Sequence, residues 1–100
     1  MNNIVKVSDI TAQDVADYLR LSGVDSSDIN TLNTLLTVAK VYVGEYTGHT
    51  IQELDDYRDI IIVILILCQD MWDNRTLYVD SSNSNKVVES ILGLHSVNLL

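Results

Sequence analysis

Residues 57–75 read YRDIIIVILILCQDMWDNR, and the way this stretch folds decides what the rest of the chain must do. It holds nine consecutive apolar residues, Ile60 to Cys68, in a chain that is otherwise polar and acidic. Ile60–Ile64 and Ile66 are β-branched and suit a buried strand. Two features decide for a helix instead. No Gly or Pro occurs between His49 and Gly93, which leaves a strand no conventional turn to return through. The apolar positions also continue beyond the run in helical steps: Tyr57, Ile60/Ile61, Ile64, Leu65, Cys68, Met71, Trp72. Such a helix, about 20 residues long, spans about 30 Å. Its second face carries Asp59, Ile62, Val63, Ile66, Leu67, Asp70 and Asp73, so that face is apolar only at mid-length. A helix apolar all round must be covered all round. Other helices of the chain, or another subunit, have to do it.

The segment before it supplies one obvious cover. Ile29, Leu32, Leu35, Leu36, Ala39, Tyr42, Val43 and Tyr46 recur at three- and four-residue steps and form one stripe. They predict an amphipathic helix from Asp28 to about Thr47, capped by Asp25, Ser26 or Ser27 and stopped by Gly48. Val38 and Val41 fall off the stripe and are candidate subunit contacts, together with Ile62 and Ile66 of the central helix.

Further out, Thr11 and Asp14 form a capping box with Asp in the usual Glu position. Ile10 and Val15 staple that entry, so a first helix is expected over Ala12–Arg20, burying Val15, Tyr18 and Leu19, with Gly23 ending the region. Ile4–Val7 reads as a brief extended piece. A second capping box, Thr50 to Glu53, opens a short helical turn. Asp55, Asp56 and Asp59 then crowd the start of the central helix, where its dipole favours carboxylates. Past Arg75 the periodicity breaks: Thr76–Val79 reads as extended and residues 80–85 as a polar loop. Ser84 or Asn85 caps a last helix, Lys86 to Leu92, packing through Val87, Val88, Ile91 and Leu92 and stopped by Gly93. The tail LHSVNLL either folds back on the core or docks on a partner through Leu94, Val97, Leu99 and Leu100. The expectation is one all-α domain over residues 1–100, a small bundle of four to five helices around one long central hydrophobic helix.

Composition narrows the function. The formal net charge is −8, and Lys6, Arg20, Lys40, Arg58, Arg75 and Lys86 are scattered singly. A grip on nucleic acid needs clustered Lys and Arg. An acidic surface can still face DNA in passive passage, because like charge keeps a polyanion sliding, or the acids simply keep the domain soluble. Lone Cys68 lies within the apolar run and is expected to be a buried, inert thiol, with a reducing cytoplasm as the simplest setting. The opening residues lack an apolar signal-peptide core, and Ile60–Cys68 is too short for a membrane span. A soluble protein without membrane attachment is expected.

No catalytic constellation is legible. His49 and His95 have no metal-ligand partner at helical spacing, and the glycines at 23, 44, 48 and 93 are isolated rather than gathered into a phosphate-cradling loop. Asp70 and Asp73 share a helix, but a general acid also needs a cleft. The expectation is a protein that is not an enzyme and that takes no cofactor or metal.

Several ordered elements do resemble a known family, the small head–tail connector (adaptor, or DNA-packaging) proteins of long-tailed bacteriophages. They begin with Ser8–Leu21, of the form D-I-T…V…Y-L-R, and with Ala39-Lys-Val-Tyr-Val-Gly-Glu-Tyr-Thr-Gly48 closing the second helix. An acidic entry to a long Ile/Leu/Val helix ending Met71-Trp-Asp-Asn-Arg75 follows, and then a closing Val88–Leu100 segment. These are packing and termination signatures rather than reactive motifs. The resemblance implies an all-helical subunit of a homo-oligomeric ring beneath the portal, extending the DNA channel and docking the tail or stopper protein. It also implies residence in the virion after synthesis in the bacterial cytoplasm, no cofactor, and portal contact by the segment beyond the last helix. Trp72, Asn74 and Arg75 read as a structural motif that closes the fold, with Trp72 in the core and Asn74 and Arg75 capping or pairing at the helix end, or else as part of a subunit interface. Two further classes are compatible with the residues: a monomeric helical interaction module, such as a small phage or bacterial regulator, and an acidic mimic of DNA.

Overall fold

A computed structural model describes residues 6–80 and 85–96. Among these the chain is all-α, with five helices and no strand: α1 (Ala12–Tyr18), α2 (Ser26–Thr47), α3 (Ile51–Leu54), α4 (Asp59–Asn74) and α5 (Lys86–His95). A single 3₁₀ turn, Val7–Asp9, precedes α1. α4 is the centre. It packs most extensively on α2, then on α5, and touches α1, while α3 holds the 3₁₀ turn.

The helix starts form as their side chains dictate. Thr11 and Asp14, Asp25 and Asp28, and Thr50 and Glu53 each make a reciprocal capping box. Asp25 is thus the cap of α2, which begins at Ser26 rather than Asp28. Asn85 caps α5, its side-chain oxygen accepting from the N–H groups of Val87 and Val88. α4 begins without a side-chain cap at Arg58.

The ends are less conventional. Gly48 stops α2 in the left-handed conformation, φ 77°. Arg20 and Arg75 hold the same conformation, at φ 58° and 56°. At each, the following N–H reaches back five residues, Leu21 to the Ala16 carbonyl and Thr76 to the Met71 carbonyl, both at 3.0 Å. Two helices therefore finish in Schellman turns whose left-handed residue is arginine instead of glycine. α1 consequently ends at Tyr18, before the expected Arg20, and Gly23 lies in the loop beyond.

Three expectations for local structure are corrected. Gly93 does not stop the last helix: α5 runs through it to His95. A helix-interior glycine costs stability but needs no special backbone, and Leu92 before it is completely buried, which holds the turn in place. Val7 is in the 3₁₀ turn, wholly buried, instead of at the end of an extended piece; the rest of that piece lies outside the described residues. Residues 76–79 are irregular rather than extended.

The core has one centre. Ile60, Val63, Ile64, Leu65 and Cys68 of α4 are completely buried against Leu32, Ala39 and Val43 of α2, Val15 and Ala16 of α1, and Leu92 of α5. Each such aliphatic side chain contributes about 1.5–3 kcal/mol by leaving water. The second face of α4 divides. Val63 and Leu67 are sealed within the chain, whereas Ile66 is half-buried and Ile62 is 43% exposed. Cover for that face thus comes mainly from the chain itself.

Candidate functional surfaces

Ser8, at the 3₁₀ turn, is bound to Asp55 at the end of α3. The Ser8 N–H donates to one Asp55 carboxylate oxygen at 2.9 Å and its hydroxyl to the other at 2.8 Å. These donors hold the Asp55 carboxyl below the usual carboxylate range, the backbone N–H first. Asp55 is therefore a long-range tie across 47 residues, a role its place in an acidic triplet did not disclose. Asp59 also has a specific partner. Both its oxygens lie 2.9 Å from His95 Nε2, at the far end of the chain's helical part.

His95 belongs to a wider cluster. Its ring stacks on Tyr57 at 4.2 Å between centroids, and Tyr57 meets His49 at 5.6 Å. His49 Nε2 lies 2.8 Å from the His95 carbonyl oxygen, which only accepts, so Nε2 carries the proton. The other ring nitrogen of His49 is buried without a hydrogen bond, 3.7 Å from Glu53. The two histidines, isolated in the sequence, converge here and fasten the end of α5 to the starts of α3 and α4. Among the described residues no group of three or more His, Cys, Asp or Glu gathers as metal ligands.

The expected contact residues fall on separate surfaces. Val41 is 53% exposed on α2, while Val38, its expected companion, is half-buried against the core. Ile62 is exposed and Ile66 half-buried on α4. Leu94 is 79% exposed near the end of α5. Val97, Leu99 and Leu100, expected to contact the portal with it, lie outside the described residues.

Trp72 is only half-buried and packs against the core's edge, so its expected place in the core is corrected. The reason lies in where α4 stops. Arg75 turns the chain away one helical turn later, and its guanidinium sits over the Trp72 ring, 5.4 Å from the centroid. Asn74 completes the helix end by donating from Nδ2 to the Asp70 carbonyl at 2.8 Å.

Sequence reasoning missed a cavity of about 310 Å³ between the second half of α2, the end of α4, the segment after Arg75 and the start of α5. Leu67, Met71, Val88 and Leu92 form its apolar part, and Tyr42, Tyr46 and Tyr78 border it with Asp70, Asp80 and Glu89. Among the described residues no Lys, Arg or His lines it. The Tyr42 and Tyr46 rings lie 6.0 Å apart, tilted by 43°. Burial, then Tyr46 and Glu89, pushes the Tyr42 hydroxyl pKa up; burial and the nearby Asp73 raise that of Asp70. One tyrosine pair at four-residue spacing was the only local trace of this site, and it fits an ordinary packing stripe equally well.

No helix among the described residues is long and apolar enough to cross a membrane. No family model, curated protein or solved structure matches the chain.

Proposed function

We propose that the chain is a structural subunit of a phage virion, a head–tail connector that joins a homo-oligomeric ring under the portal, extends the DNA channel and docks the tail or stopper protein. The observation that carries the reading is the order of the sequence elements resembling that family, Ser8–Leu21, Ala39–Gly48, Met71–Arg75 and the closing segment from Val88. Their placement on the fold is compatible with it. Three of them lie where helices end, at Arg20, Gly48 and Arg75, which supports reading them as termination signatures. Val41, Ile62 and Leu94 leave large apolar side chains at the surface of three different helices, as a subunit with several neighbours needs. The net charge of −8 suits a wall past which DNA slides without binding.

Native mass spectrometry and electron microscopy of the chain mixed with its cognate portal test the proposal. A ring on the portal is expected, and Leu94→Asp should weaken it without changing helicity. Absence of portal association under all conditions sinks the reading. One observation favours a second reading, a monomeric helical interaction module. Val63 and Leu67 are buried by the chain's own helices, so the domain closes its core without a neighbour. That reading expects a monomer that binds one protein partner one-to-one.

A further inference from the structure

We propose that the cavity between α2, α4 and α5 receives the guanidinium of an arginine on a basic segment of a partner protein, seated among its tyrosines and against the Asp70 carboxylate. The proposal goes beyond the virion reading and is independent of whether the chain forms a ring.

Chemical complementarity identifies the occupant. The walls combine Tyr42, Tyr46 and Tyr78 with the carboxylate of Asp70, and among the described residues no Lys, Arg or His borders the space. Aromatic faces and carboxylates both attract a cation, and they attract it more strongly where water is partly excluded. Burial of Asp70 beside Asp73 already makes its negative charge costly, and an incoming cation offsets that cost. The neighbouring apolar floor suits the methylene stem of a long basic side chain.

Size and shape choose among cations. A cavity of about 310 Å³ lies at the lower end of the range for ligand pockets, about 300–1,000 Å³. It holds one extended side chain rather than a helix. Arginine fits better than lysine because its planar group stacks on tyrosine and bonds a carboxylate in a fork. The partner segment needs a net positive charge, since the domain's charge of −8 steers basic partners and repels acidic ones.

The test is a titration of the full ¹⁵N-labelled chain with a capped Gly-Arg-Gly peptide, with Gly-Ala-Gly and spermidine as comparison probes, followed by amide NMR. Saturable shifts are expected around Tyr42, Tyr46, Asn74 and Thr76, with a Kd on the order of 1 mM for so small a probe. Tyr78→Ala removes a ring that is 62% exposed in an irregular segment, and Asp70→Asn removes a charge. Each should weaken binding about fivefold, as the loss of one cation contact predicts, with an unchanged far-ultraviolet circular dichroism spectrum. Equal binding of the alanine peptide, shifts elsewhere on the domain, or unchanged affinity in both variants overturns the proposal. Spermidine binding as tightly as the arginine peptide overturns it in favour of a free polyamine. The titration contains no portal, so its failure and failure of the virion reading are separate results.

Discussion

Replacing Gly93 with alanine gives a change in stability whose sign depends on where the last helix ends. Gly93 is exposed within α5, two residues before its end, and its φ is not positive. A Cβ built there meets no atom within 4 Å. Alanine therefore removes the penalty of a helix-interior glycine, about 1 kcal/mol, without creating a clash or a new contact. Position in the last turn reduces the gain, because terminal turns fray, so about 0.5–1 kcal/mol is expected. For a domain of this size about 4–8 °C accompanies each kcal/mol, which places the rise in Tm at about 2–8 °C.

A helix that stopped at Gly93 would respond the other way. Glycine would then sit in a left-handed conformation, and alanine forced into it would cost about 1–2 kcal/mol. Thermal and urea unfolding followed by circular dichroism distinguish the two. A lower Tm, or a lower urea midpoint at unchanged slope, refutes the placement of Gly93 inside α5 and with it the position of His95 beside Asp59.

Four further outcomes follow from the same geometry. Arg20→Gly should stabilise the domain by up to about 1 kcal/mol, since the left-handed residue loses its Cβ penalty against a gain in unfolded-chain entropy; a lower urea midpoint would count against the Schellman turn at Arg20. Ile64→Asp, placing an unpaired charge at a completely buried position, should cost upward of about 3–5 kcal/mol and unfold most of the protein, as read by loss of ellipticity. Asp55 has a folded-state pKa below its unfolded one, so its bond to Ser8 stabilises fully above the unfolded value and is lost as pH falls through the folded value. Asp55→Asn should therefore flatten the acid limb below about pH 4 in a stability–pH profile, and an unchanged limb would refute the tie. Burial pushes the Cys68 thiol pKa up to about 12, so iodoacetamide should label it only as fast as the domain opens; rapid labelling of folded protein would contradict its burial.

Local signals in this chain were legible because each is decided within a few residues. Thr11 with Asp14 and Thr50 with Glu53 cap helices wherever the backbone permits, and Gly48 ends one for the same local reason. The central helix was legible from its continuation into Met71 and Trp72, which no strand period accommodates. Misreadings arose where a second element set the outcome. Gly93 looks like a stop until His95, two residues on, is seen to be held by Asp59 and Tyr57. Arg20 and Arg75 carry no sequence mark of a left-handed backbone, because glycine is the usual signal there. Asp55, Asp59, His49 and His95 looked like caps and lone histidines, since their partners lie 36 to 47 residues away. The cavity draws on three helices and an irregular segment, and no window of sequence contains it.

The way α4 is covered bears on how the domain meets a partner. If Val63 and Leu67 had been open, association would have been needed to complete the core, and the isolated subunit would have been marginal. They are sealed, and the large apolar side chains left exposed among the described residues are spread over α2, α4, α5 and the Leu77–Tyr78 pair after α4. Such scattered residues bury little surface at each contact, so an assembly built on them would gain its strength from repetition around a closed ring. A lone binary partner has no such repetition and must find a deeper hold. The cavity beside α5 offers such depth. The two proposed modes of contact would therefore use different parts of the molecule: scattered apolar side chains suit many equal neighbours, and the tyrosine-lined cavity suits one basic anchor.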